Sequence, residues 1–251
     1  TGGHLFPALA IGEEIHHREP GAKIHYVGSN FGLEAKVFPV KDVWHTLLPI
    51  RGFQRGISLQ SLGRNSLLPV RIIRSMLKIR SLMNEFLPQV VVGTGGYASA
   101  LPLYMASKKN NPLPIILQEQ NSYPGMTTRW FADKAKTICV AFNDANTHLE
   151  SDTVLTGNPV RHGIADGNPQ RGFKEFKLAE DHKTIFLFGG SQGSAYLNKM
   201  MSQVVANIAG AGLQILWQTG DLEYIKYRSM ESDDIRIVPF IHNMADAYAI
   251  S

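Results

Sequence analysis

Gln89-Val90-Val91-Val92-Gly93-Thr94-Gly95-Gly96-Tyr97 is the stretch on which the fold turns. Its valine run has no alternating polar residue, as expected of a parallel strand covered on both faces. The glycines that follow permit a sharp turn, and the residues after them suit a helix. Strand, glycine turn and helix in that order make half of a βαβ unit.

The same succession recurs on either side. Upstream, Gly2-Gly3 precedes a predicted helix over Leu5 to Arg18, with Pro7 tolerated in its first turn. Glu19-Pro20-Gly21 stops that helix, and Lys23 to Gly28 is a predicted strand. A long amphipathic helix is expected over Ser66 to Phe86. Downstream, strands are predicted over Pro114 to Gln118, Thr137 to Ala141 and Thr153 to Gly157. Past Pro169 the pattern restarts: strand Thr184 to Phe188, turn Gly189-Gly190-Ser191-Gln192-Gly193, helix Ser194 to Ala209, then strands Leu213 to Gln218 and Ile235 to Val238. Such alternation implies an α/β protein with parallel sheets and right-handed crossovers. The polar stretch Asn158 to Gln170 is the predicted linker, so two Rossmann-like lobes facing each other across a cleft are expected. They run over 1–158, with a first strand missing, and 159–251. The opening Thr1-Gly2-Gly3-His4 and the helical reading of Ala249 to Ser251 lead us to expect a fragment of a longer protein.

The composition is that of a globular chain: 251 residues, 44% hydrophobic and 18% charged. The single cysteine, Cys139, lies in an apolar run, which excludes an internal disulfide framework and points to a reducing, cytoplasmic compartment. No apolar run approaches the roughly eighteen residues of a membrane span. The net charge of +4 is unevenly placed. Val43 to Asn84 holds no Asp or Glu but carries Arg51, Arg55, Arg64, Arg71, Arg74, Lys78 and Arg80, a block that attracts anions.

Four glycine-bearing turns carry the chemistry: Thr1-Gly2-Gly3-His4, Gly93 to Tyr97, Gly157-Asn158-Pro159 and Gly189 to Gly193. In open α/β sheets, ligands bind outside the carboxyl ends of the strands. There the backbone approaches closely, and helix N-termini offer N–H groups and positive dipole ends to a diphosphate. Neither G-x-G-x-x-G nor a Walker lysine is present, so NAD and ATP hydrolysis fit poorly. His4, at a helix start, is either a general base or a capping and orienting group. Gln118-Glu119-Gln120-Asn121, at the end of a buried strand, suits either a sugar ligand or an internal polar network. Arg161 is either a phosphate ligand at the lobe junction or a surface residue. No metal-binding pattern occurs, and no cofactor is expected. The 66–86 helix has more apolar residues than one core stripe requires. It is either a dock for an anionic membrane or a core helix with a solvated basic face. Nucleic acid is disfavoured, because no aromatics interleave the bases.

Thr1 to Ala10 resembles the glycine-rich N-terminal loop of the MurG family, glycosyltransferase family 28. Gly95-Gly96-Tyr97, Glu119-Gln120-Asn121, Gly157 to Arg161, Gly189 to Gly193, and Pro239-Phe240-Ile241 with Met244 and Ala247 to Ala249 match later family motifs in order. The resemblance implies a GT-B fold and an inverting transfer of N-acetylglucosamine. The donor would be UDP-GlcNAc, and the acceptor the C4 hydroxyl of the muramoyl sugar of lipid I, giving lipid II in peptidoglycan synthesis. It implies that Thr1, Gly2, Gly3, Tyr97, Asn121, Arg161, Ser191, Gln192 and Ile241 contact substrate. It further implies a peripheral enzyme on the cytoplasmic face of the cell membrane. Many family members have His where this chain has Gln118, so His4 and Glu119 stand as the catalytic candidates. The chain also ends before the family's C-terminal Gly-Ala turn, ribose-binding Glu and later Gln, so the fragment is expected to be inactive. Two competing readings are a GT-B UDP-GlcNAc 2-epimerase and a non-catalytic sugar-nucleotide-binding protein.

Overall fold

The computed structural model describes residues 2–51, 67–108, 112–190 and 192–251. It divides into two compact units, Thr1–Arg161 and His162–Ser251, against an expected boundary between 158 and 159.

In the first unit, α1 (Gly2–Arg18) leads to β1 (Tyr26–Ser29), α2 (Glu34–Val40) and β2 (His45–Leu48). Then follow α3 (Leu68–Phe86), β3 (Val91–Gly93), α4 (Gly96–Lys108), β4 (Ile115–Glu119), α5 (Met126–Phe131), β5 (Thr137–Val140) and β6 (Thr153–Leu155). Strands β1 and β2 form a parallel pair, and β3-β4-β5-β6 a parallel sheet in chain order. Val91, Ile115, Leu117, Ile138 and Val140 from this sheet share a core with Ile79 and Met83 of α3 and Leu103 and Ala106 of α4. Of the valine run, Val91 is thus buried by helices, Val92 is part-buried, and Val90, just before the strand, stays exposed.

The second unit contains α6 (Pro169–Phe176), β7 (Thr184–Phe188), α7 (Ala195–Gly210), β8 (Gln214–Gln218), α8 (Tyr224–Tyr227), β9 (Ile235–Val238) and α9 (Met244–Ala249). Its sheet is parallel in the order β7-β8-β9, with Leu187 beside Trp217 and Trp217 beside Ile237. All five residues of β8 are buried, and Trp217 donates its indole N–H to Asn198 Oδ1 at 2.9 Å.

Several expectations need correction. Gly2 and Gly3 belong to the first turn of α1 rather than to a turn preceding it. Of the helix expected over Ser66–Phe86, Ser66 lies outside the described residues. α2 and β2 had no counterpart in the sequence reading: Pro39 interrupts the first, and His45-Thr46-Leu47-Leu48 lacks a marked apolar run. The linker ends at Asn168, whose side chain caps α6 by accepting from Arg171 N at 2.8 Å, and Pro169 occupies the first helical position. α9 ends at Ala249.

Asp246 joins α6 to α9. Its carboxylate accepts from Asn168 N at 2.7 Å, from Arg171 Nη2 at 2.7 Å and from Arg171 Nε. The Arg171 hydrogen bond, opposed by desolvation, holds its pKa down at about 2. This contribution is complete above the unfolded value of 3.8 and is lost as pH falls toward 2. In thermal melts, Asp246→Asn is expected to lower Tm at neutral pH. It should also flatten the decline in Tm between pH 4 and pH 2, roughly the interval between the two pKa values.

Candidate functional site

In the first unit the polar groups gather at the carboxyl end of the β3–β6 sheet. Gly95 and Gly96, just after β3, have φ of +94° and +75°. A Cβ on either would lie 3.0 Å from the His4 imidazole, so only glycine allows this packing. Thr94, 7% exposed, donates its hydroxyl to His4 O at 2.9 Å and so fixes the start of α1 against this turn. Burial is the main cause of a His4 pKa below its ordinary 6.5; the carboxylates of Glu119 and Glu34 oppose it. The imidazole is thereby neutral at pH 7 and able to accept a proton.

At the end of β4, Glu119 is 2% exposed. Its Oε1 accepts from Asn121 N at 3.1 Å and Asn121 Nδ2 at 2.9 Å. Its Oε2 accepts from Gly125 N at 2.9 Å and Thr128 Oγ1 at 2.6 Å. Gln120 Nε2 donates to Thr94 O at 2.9 Å and to Gln118 O at 3.0 Å, tying this loop to the one beside His4. Gln118, Glu119 and Gln120 thus form an internal polar network. All four donors come from the protein, so both oxygens of the Glu119 carboxylate are engaged within the loop that follows β4. Its geometry makes it the residue that shapes the 120–125 loop. Asn121 stays exposed, with its amide N–H committed to Glu119.

In the second unit the corresponding edge is built by main chain. Gly190 and Gly193 have φ of +80° and +74°. A Cβ on Gly193 would lie 1.9 Å from Thr219 O, and one on Gly220 would lie 2.2 Å from Gln192 O. The loop after β7 therefore sits directly on the turn after β8. Gln218, 3% exposed, donates to Gly190 O at 2.9 Å and accepts from Ile241 N at 2.9 Å. Three strand ends are clamped through one amide. Beyond this loop, Ser194 caps α7 by accepting from Leu197 N at 3.4 Å.

A cavity of about 590 Å³ also lies in the first unit, between Lys23–Val27 and Gln89–Val92. Leu5, Ile11, Phe38, Leu82 and Met83 give it largely apolar walls, and of the polar groups above only His4 and Thr94 reach it. The convergent polar groups, and hence the candidate site, are at the strand ends instead.

The glycosyltransferase family 28 N-terminal domain model matches residues 1–140, and the corresponding C-terminal domain model matches residues 184–251. The chain belongs to glycosyltransferase family 28. A Bacteroides thetaiotaomicron relative, named UDP-N-acetylglucosamine–N-acetylmuramyl-(pentapeptide) pyrophosphoryl-undecaprenol N-acetylglucosamine transferase, is 37% identical; the match covers all of this chain and 68% of the relative. Proteins of the same name from Flavobacterium psychrophilum and Bacillus subtilis are 36% and 32% identical, over 99% and 98% of this chain and 67% and 68% of theirs. The crystal structure of Acinetobacter baumannii MurG matches with a TM-score of 0.64 at 23% identity, covering all of this chain and 67% of that one. A glycosyltransferase from Rickettsia africae gives 0.62 at 12%, covering all of this chain and 68% of that one. These likenesses establish the fold class as GT-B, two α/β units each with a parallel sheet. The family 28 chain spans about two thirds of the length of these relatives.

Among the residues expected to bind substrate in this family 28 chain, Thr1 and Ser191 lie outside the described residues. Gly2 and Gly3 lie in the first turn of α1, with open space around Gly3. Tyr97 is 38% exposed near the start of α4, and Gln192 is exposed beside Gly193. The Arg161 guanidinium carbon lies 4.7 Å from the Phe6 ring centroid, a cation–π contact that holds it near the start of α1. The Ile241 side chain is 3% exposed in a core with Leu216 and Ala247, so it offers a ligand no side-chain surface. The sequence singles out Thr94 only as a member of a glycine turn, and neither Gln218 nor the Thr219-Gly220 turn. The available signal was a polar residue and a glycine at the end of an apolar run, the pattern used for the other turns.

Glu119→Gln places an amide N–H₂ where two donors now converge. We expect a loss of about 1–3 kcal/mol in denaturant unfolding, with faster hydrogen exchange at Gly125 N.

Proposed function

We propose that this family 28 protein transfers N-acetylglucosamine from UDP-GlcNAc to the C4 hydroxyl of the N-acetylmuramoyl sugar of lipid I, with inversion, forming lipid II. The observation that carries this reading is the match along essentially the whole chain to proteins named for that transfer, at up to 37% identity. The strand-end loops supply the chemistry it needs.

The acceptor oxygen attacks the anomeric carbon as the bond from that carbon to the UDP oxygen breaks. The proton leaves the hydroxyl for a base, and the electron pair leaves with UDP. His4 is the base in this reading, kept neutral by burial. Glu119 positions Asn121 toward the sugar. The Gly189–Gly193 loop and the first N–H groups of α7 receive the departing diphosphate, with Arg161 as a further phosphate ligand. The names of the relatives favour transfer over UDP-GlcNAc 2-epimerisation or binding without turnover. Incubating the full-length protein with UDP-GlcNAc, with and without a lipid I analogue, separates the three. Turnover only with acceptor supports transfer, turnover without it supports epimerisation, and no turnover supports binding alone.

In the full-length protein, His4→Ala is expected to lower kcat about 100- to 10,000-fold with little change in donor KM. The parent's kcat/KM should fall on the acid side with an apparent pKa below 6.5, because the base must be unprotonated and its pKa is depressed. An unchanged kcat for the variant would sink the assignment.

The same reading places the enzyme peripherally on the cytoplasmic face of the membrane. Among the described residues no helix is long and apolar enough to cross one. α3 buries Ser75, Ile79 and Met83 against the sheet, yet exposes Val70, Ile73 and Leu77 elsewhere on its surface. Arg74, Lys78 and Arg80 are exposed around them, which suits an anionic leaflet. Ile73→Asp with Leu77→Asp should weaken partition of the full-length protein onto phosphatidylglycerol vesicles about tenfold or more, leaving UDP affinity unchanged.

A further inference from the structure

The carboxyl ends of β1 and β2 carry an arrangement that the transfer reading does not use. Ser29, fully buried, donates its hydroxyl to Ile50 O at 2.7 Å and accepts from Phe31 N at 3.0 Å. Asn30 N donates to Leu48 O at 2.9 Å. These bonds hold Phe31 beside the end of β2, where Arg51 follows. The Arg51 guanidinium carbon lies 3.9 Å from the Phe31 ring centroid, and that of Arg71, from α3, lies 5.4 Å from the same centroid. Lys78, two turns further along α3, donates to Leu47 O at 3.0 Å and docks the helix on β2. Three elements thus bring two cations to one half-exposed ring.

Like charges brought together this way repel unless an anion offsets them. The chain has no Asp or Glu from Val43 to Asn84, and among the described residues neither arginine forms an ion pair. Arg51 Nε is buried and has no hydrogen-bond partner among the described residues, a costly state for a charged donor. A guanidinium held over a ring can still turn its Nη groups toward phosphate oxygens, two at a time.

We propose that Phe31, Arg51 and Arg71 form a diphosphate-binding site, separate from the Gly189–Gly193 loop, with one guanidinium for each phosphate. As a site for a diphosphate it stands on these contacts alone. Its assignment to the diphosphate of a polyprenyl-linked acceptor rests on the transfer reading above.

The test titrates inorganic pyrophosphate into the full-length protein by calorimetry, with saturating UDP present to occupy the donor loop. Arg51→Gln with Arg71→Gln is expected to weaken pyrophosphate binding at least tenfold, while Arg228→Gln, exposed in the second unit, leaves it unchanged. Arg51→Lys keeps the charge and loses the planar fork, so a several-fold loss is expected in a protein whose fold is undisturbed. A melting temperature equal to the parent's qualifies each variant. If the double variant unfolds, Arg51→Lys and Phe31→Leu carry the test. Pyrophosphate binding that UDP abolishes, or that the qualified variants retain, overturns the site. A second arm distinguishes the source, using phosphatidylcholine vesicles doped either with a polyprenyl diphosphate or with phosphatidylglycerol at equal charge. The variants should lose their preference for the first while keeping the second. Equal loss on both overturns the site in favour of general attraction to charge.

Discussion

A middle strand of a parallel sheet ends with its neighbouring loops diverging, and their main-chain groups then need partners the ladder no longer supplies. In each unit a buried polar side chain at the end of a middle strand meets that need. Glu119 on β4 collects four donors from the loop beyond it. Gln218 on β8 receives the N–H of Ile241 and donates to the carbonyl of Gly190. Each lies nearly out of solvent, where losing a partner is expensive. The conformations of the loops at the candidate site thus depend on these two buried side chains.

Alternation of strands and helices, and the glycine turns between them, could be read directly, because burial on both faces leaves valine and isoleucine runs that nothing else explains. Strands Thr184–Phe188 and Ile235–Val238 lie where their sequences place them. The short elements could not be read that way. β2 has four residues and gains its stability from pairing with β1, a long-range contact that no local pattern announces. Of the site, the glycines and His4 were visible because their chemistry is local. The bonds that engage Glu119 were not, because they depend on Gly125 and Thr128 folding back onto the carboxylate. Ile241 shows the converse: a motif position whose side chain belongs to the core while its main chain belongs to the loop cluster.

Electrostatics divide the first unit. At the end of β4 a carboxylate is surrounded by neutral donors, and its field reaches His4. At the ends of β1 and β2 two guanidiniums share a ring without a carboxylate paired to either.

The contact between the loop after β7 and the turn after β8 has an evolutionary consequence. What crowds Gly193 is the carbonyl of Thr219, and what crowds Gly220 is the carbonyl of Gln192. Main-chain atoms are the same whatever residue supplies them. A larger residue at either glycine therefore cannot be rescued by shrinking its neighbour, as a crowded side-chain pair can. Drift at these two positions is closed to compensation by single substitutions, and change there requires the two loops to be rebuilt together.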